Sequence, residues 1–141
     1  MADLAEQFVG TWKLKSFEFE LQESGQRIKP WGDNPKGYVV LAPDGRMIAL
    51  LTAGERKAGD TDGDMANLFR SMVAYTGNFR LEGDRLITKV DASWNELWNG
   101  TDQERFYHLD NNRLELTTPW APAGMLPGTP MARGILAWTR A

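Results

Sequence analysis

The chain has 141 residues, a net charge of −3 and a pI near 5.2, without cysteine and with a single histidine. Disulfides, cysteine redox chemistry and a histidine-cluster metal site are therefore excluded. The absence of any basic run argues against nucleic acid or an anionic membrane as a partner.

The length suits one domain, taken here as residues 1–141, with enough chain to bury a core without staples. The opening MADLAEQFVG has neither a positive n-region nor an apolar h-region, so a cytoplasmic location is expected. No apolar run approaches the roughly 20 residues of a membrane span.

A short helix is expected near residues 2–8. A long strand follows over 10–21. On it Trp12, Leu14 and Ser16 share one face, while Phe17, Phe19 and Leu21 share the other. A one-residue bulge near Ser16–Phe17 would restore a single buried face. Without it, Glu18 and Glu20 would point at the core, and burying two unpaired carboxylates is expensive.

Strands are expected at 37–42 and 46–53, joined through Pro43-Asp44-Gly45. Gly54 to Gly63 is charged and glycine-rich and reads as a mobile loop. Met65, Leu68, Phe69, Met72 and Val73 fall at helical spacing, which predicts an amphipathic helix over 62–73 with cap chemistry from Thr61. Further strands are expected at 74–81, 85–93, 101–109, 113–118 and 133–140. The turns Glu82-Gly83-Asp84 and Asp110-Asn111-Asn112 make hairpins of their neighbours. Pro119 to Thr129, with Pro130 beyond it, carries four of the seven prolines and cannot be a strand. It carries Trp120, Met125 and Leu126, so it is either folded over an opening or an ordinary surface crossover. The sum is an all-β chain: eight antiparallel strands at hairpin spacing with one inserted amphipathic helix, closed so that no edge is left bare.

In order, GTWKLKSFEFE, NPKGYVVLAPDGRM, YTGNF and WNGTDQERF resemble the lipocalin-like domain family of small bacterial and fungal proteins. The resemblance runs from about Gly10 to Arg140. It implies an eight-stranded up-and-down barrel with an internal cavity. It implies no single activity, since related barrels include ligand carriers and cofactor-free enzymes such as cyclases and decarboxylases. Gly10 and Trp12 match the family's G-x-W block. The resemblance then implies a structural pair, with Trp12 plugging the closed end and Arg140 stacking on it.

The family blocks also suggest which residues face inward: Met47, Ala49 and Leu51; Tyr75, Gly77, Phe79 and Leu81; Leu86, Thr88, Val90, Ala92 and Trp94; Thr101, Gln103, Arg105, Tyr107 and Leu109. The opposite face of 101–109 holds Asp102, Glu104 and His108, which are better solvated than enclosed. An inward Arg105 must be paired, hydrated or bound to a ligand oxygen, for which its planar fork is suited.

The expected ligand-binding set is Arg105, Gln103, Tyr107, Tyr75, Phe79, Thr88, Trp94, Met47 and Trp138, with Trp98 beside them. The expected function is binding of a small apolar or aromatic molecule bearing a polar or anionic group. The alternative is a cofactor-free isomerase, cyclase or dehydratase acting on a polyketide-like or aromatic acid. A filled scaffold barrel is the third reading. No cofactor, metal or catalytic residue is singled out. The expected partner is a small molecule, with homodimerisation left open.

Overall fold

The computed structural model describes residues 4–141. A short helix α1 (Leu4–Phe8) leads into β1 (Gly10–Leu21). Positions 2 and 3 of the expected first helix lie outside the described residues. Then come β2 (Arg27–Ile28), β3 (Lys36–Leu41), β4 (Arg46–Thr52), α2 (Asp62–Arg70), β5 (Met72–Glu82) and β6 (Arg85–Ser93). The chain finishes with β7 (Asp102–Asp110), β8 (Arg113–Thr117), β9 (Ala121–Pro122) and β10 (Met131–Arg140). Apart from the two-residue strands β2 and β9, eight antiparallel strands follow one another around a closed barrel, and β1 pairs with both β3 and β10. No helix among the described residues is long and apolar enough to cross a membrane.

The three expected hairpins are present. Gly45, Gly83 and Asn111 take positive φ at their turns, the backbone region that tight hairpin connections require.

The expected bulge in β1 is present one residue earlier than the apolar pattern suggested. Leu14 pairs with Trp138 and Ser16 with Ala137, so Lys15 is the extra residue. Trp12, Leu14 and Phe17 are consequently all buried, with Phe19 packed against the same core. Glu20 is turned to the outer wall, where Arg27 (3.2 Å) and Arg133 (2.8 Å) pair with it.

A second bulge was not expected. Gly77 pairs with Val90 but Thr76 with Ala92, which leaves Asp91 unpaired. At Gly77 a side chain would run into the backbone of Lys89 and Val90, so only glycine permits this approach. Beyond the bulge the phase of β6 reverses. Ser93 lies opposite Tyr75 on the inner face, and the inward placement expected of Ala92 and Trp94 is overturned.

The helix also departs from expectation. It ends at Arg70 rather than at 73, because Met72 and Val73 pair with Thr52 and Leu51 of β4. Those two residues satisfy both periods, and the ladder wins. Thr61 caps the start by accepting from the Asp64 N–H. Arg56 closes the other end, donating to the Leu68 carbonyl and the Ser71 hydroxyl. No residue of α2 is buried, and Met65 and Phe69 stay exposed. The helix therefore rides on the barrel rim instead of plugging it.

One end of the barrel is sealed. Phe8 and Trp12 are fully buried, and the Trp12 indole donates to the Phe8 carbonyl at 2.9 Å. The Arg140 guanidinium lies 4.2 Å from the Trp12 ring centre and donates to the Val9 and Gln7 carbonyls. A cation–π contact of this kind contributes about 0.5–2 kcal/mol. Gly10, at φ +141°, leaves the room that this guanidinium occupies.

Outside, Ile87 points away from the core yet is only 2% exposed. Its cross-strand neighbours are both in ion pairs, Arg80 with Glu82 and Asp102, and Glu104 with Arg85. The hydrogen bond to Asp102 pushes the Arg80 pKa up.

Candidate functional site

The open end leads into a cavity of about 150 Å³. Its wall is built from inward residues of seven barrel strands: Phe17 and Phe19 of β1, Val39 and Leu41 of β3, Met47, Ala49 and Leu51 of β4, Val73 and Tyr75 of β5, Leu86 of β6, Arg105 of β7, and Gly134, Leu136 and Trp138 of β10, with Leu116 adding an eighth from β8. The period-2 alternation of each strand places them there.

Three connections complete the mouth. Trp31 comes from the loop between β2 and β3 and meets the Phe17 ring edge-on at 5.0 Å. Trp98 comes from the single turn Glu96–Trp98 and contacts Tyr75 at 5.1 Å. Met125 comes from the proline-rich 119–130 segment, which is folded over the opening. Leu126 and Ala123 anchor that segment on Phe19, Leu21 and Ile28. Arg133 stacks on Trp120 (4.5 Å) while pairing with Glu20, which ties the same segment to the outer wall.

Arg105 is on the inner side of β7, as its phase predicts. Phe106 and His108 face out and are exposed. Among the described residues, Arg105 makes one side-chain hydrogen bond, from Nη1 to the Glu104 carbonyl at 2.8 Å, and no ion pair. A guanidinium offers five N–H donors, so most of its donor capacity is left untaken by the described residues. None of the described lining residues is acidic, and Tyr75 is the other ionisable one. Glu18 and Glu20, the acids that could have entered without the bulge, belong to the opposite face of β1. The site is thus an apolar, aromatic-walled hollow with an excess of donors, able to hold an oxygen-bearing ligand and unsuited to a cation.

Of the expected set, Arg105, Tyr75, Met47 and Trp138 line this cavity, and Trp98 joins them. The other five lie elsewhere. Tyr107 is drawn to the sealed end, where its hydroxyl donates to the Gly83 carbonyl (2.9 Å) and its ring packs on Phe8 (4.9 Å). Phe79 is near the same end, its N–H bonded to the Gly45 carbonyl. Thr88 is buried between its partners Phe79 and Gln103. Gln103 donates to the Thr101 hydroxyl (2.9 Å), which in turn donates to the Trp98 carbonyl (2.7 Å). Gln103 therefore steadies the turn that carries Trp98 instead of lining the hollow itself. Trp94 sits on the rim because of the Asp91 bulge. Its indole donates to the Phe69 carbonyl (3.2 Å), and its ring packs on Phe69 and Trp98.

Trp31 is a site residue that the sequence reading does not anticipate, while Met125 belongs to the 119–130 segment for which folding over the opening is one of the two expectations. Both are large apolar residues inside Pro/Gly-rich loops, which is the signal that points to them.

A family model described as a lipocalin-like domain matches residues 9–141. No curated protein matches the chain. Solved structures similar to it include an uncharacterized protein from Bacteroides eggerthii DSM 20697, 14% identical, with a TM-score of 0.47 over 94% of this chain and 98% of that one.

Proposed function

Since the chain belongs to the lipocalin-like domain family, we propose that its barrel binds one small, largely apolar or aromatic molecule whose anionic or carbonyl oxygen meets Arg105. The observation that carries this reading is a guanidinium with spare donors, unpaired by any described acid, in a cavity walled by Phe17, Leu51, Tyr75, Leu116 and Trp138. Apolar walls with a few placed polar groups are the usual make-up of a small-molecule site. The volume limits the occupant. A cavity near 150 Å³ takes a benzene-sized molecule, whereas drug-sized ligands occupy roughly 300–1,000 Å³. A single ring with short substituents fits this hollow.

The test is a titration of aromatic monocarboxylates and their methyl esters, followed by native mass spectrometry and calorimetry. A charge-assisted hydrogen bond contributes about 1.5–3 kcal/mol, so Arg105→Ala should weaken carboxylate binding by roughly 10- to 150-fold. It should affect the esters less. Unchanged carboxylate affinity would remove Arg105 as the anchor.

One observation favours a second reading. Tyr75 lines the same cavity as Arg105, so a cofactor-free isomerase, cyclase or dehydratase acting on a polyketide-like or aromatic acid would have a phenol for proton transfer and a guanidinium for the developing oxyanion. Turnover of such an acid that Tyr75→Phe abolishes while binding persists would establish it.

A further inference from the structure

Three side chains close the mouth of the cavity, Trp31, Trp98 and Met125. They differ in how far each can give way. Met125 is 46% exposed, and its unbranched thioether changes rotamer readily. Trp31 is buried and packs with Phe17 in the core, so displacing it would open the core itself. Trp98 is half-buried and is not among the residues packed into that core.

Trp98 is nevertheless fixed. Its N–H donates to the Asn95 carbonyl (2.9 Å), and its carbonyl accepts from the Thr101 N–H (3.1 Å) and hydroxyl (2.7 Å). The Asn95 side chain caps the turn by accepting from the Leu97 N–H (3.1 Å), and the Ser93 hydroxyl donates to the Asn99 side chain beyond it (2.8 Å). The ring is held as well. It packs on Tyr75 (5.1 Å) and on Trp94 (5.0 Å), and Trp94 is itself tethered to the Phe69 carbonyl (3.2 Å). A wall excludes a larger ligand only where it does not yield, and one methylene too many in an apolar pocket changes affinity by roughly 10- to 200-fold.

We propose that Trp98 is the specificity-determining residue of the barrel. Its ring restricts the cavity to single-ring ligands, and without it the same cavity takes a fused two-ring acid. This rests on the reading of the cavity as a ligand site with Arg105 as its anchor. The space left by the indole stays open for two reasons. The turn is held by backbone bonds and by Asn95, Ser93 and Thr101, none of which uses the indole, so it does not collapse. Trp94 is kept outside by its bond to the Phe69 carbonyl, so it does not swing in.

The probes are benzoate and 2-naphthoate, titrated by calorimetry and native mass spectrometry into the wild type, Trp98→Ala, Trp98→Phe and Trp94→Ala. The wild type should bind benzoate and discriminate against 2-naphthoate by about tenfold or more. Trp98→Ala should reverse that order, binding 2-naphthoate about tenfold or more tighter than the wild type does. Trp98→Phe should shift the ratio the same way by a smaller factor, and it decides alone if Trp98→Ala does not fold. Trp94→Ala removes a neighbouring ring that lines no part of the cavity, and it should keep the wild-type order. Equal wild-type affinity for the two acids would overturn the role of Trp98 and leave the cavity as a binding site. The same holds for a Trp98→Ala protein that binds benzoate and still rejects 2-naphthoate. A reversed order in Trp94→Ala would also overturn it, because a loosened rim and not the missing indole would then be the cause. Binding of neither acid to any of the four proteins would overturn both readings.

Discussion

Replacing Arg105 with methionine should leave the fold unharmed or slightly firmer while disabling the cavity. The guanidinium gives the folded protein one bond, to the Glu104 carbonyl at 2.8 Å, and no ion pair with a described acid. Losing that bond costs about 1 kcal/mol. Against it, the remaining N–H groups no longer have to be held beside Leu86, Leu116 and Phe17. A flexible thioether also fills the vacated space and buries about one further methylene, worth about 0.8 kcal/mol. The balance is a gain of about 0–1 kcal/mol once relief of the partly desolvated charge is included. For a chain of this size that is a rise in Tm of up to about 4 °C. Urea unfolding followed by tryptophan fluorescence reads it as a shifted midpoint at constant m-value. A loss of more than about 1 kcal/mol would show that Arg105 is a structural tie, contrary to the reasoning. Opposite signs for stability and binding are the pattern expected of a residue kept for a site.

Other consequences follow from the phase and the two ends of the barrel. Leu50 is 51% exposed on the outer wall and Leu51 is 4% exposed beside the cavity. Leu50→Lys should change stability by no more than about 0.5 kcal/mol, while Leu51→Ala should cost about 2–5 kcal/mol, both measured by the same urea titration. Arg140→Met removes the stack on Trp12 and the bonds to the Gln7 and Val9 carbonyls. A drop of about 2–3 kcal/mol, with ligand affinity unaltered in the folded fraction, is expected by calorimetry. Long-chain fatty acids should fail to compete with benzoates in a displacement titration, because the hollow of about 150 Å³ has no room for the chain. Competition at equal concentration would mean that the cavity opens.

The barrel was legible because each hairpin announces itself twice, in a turn triplet and in the alternation flanking it. Gly45, Gly83 and Asn111 then take the positive φ those triplets imply. The bulge at Lys15 was legible too, since the apolar residues change side across it and Glu18 and Glu20 would otherwise be buried. The bulge at Asp91 left no such trace. Ala92 and Ser93 are small and fit either face, so Trp94 was placed inside when the ladder puts it on the rim. Met72 and Val73 satisfied a helical and an alternating pattern at once, and only pairing with β4 decides between them. The face of β7 was readable from Asp102, Glu104 and His108 on its other side. How far up the barrel each inward residue stands was not. Depth follows from the stagger between strands, which separates Arg105 at the cavity from Tyr107 and Phe79 near the sealed end. Trp31 and Met125 lie in loops, where periodicity has nothing to say.

The most direct test of the central claim is the position of a bromine atom. Crystals grown with 4-bromobenzoate should show one anomalous peak inside the barrel among Leu51, Tyr75, Leu116 and Trp138, with the carboxylate hydrogen-bonded to the Arg105 guanidinium. A peak confined to the outer wall, or a hollow that stays free of bromine at saturating ligand, would contradict the account.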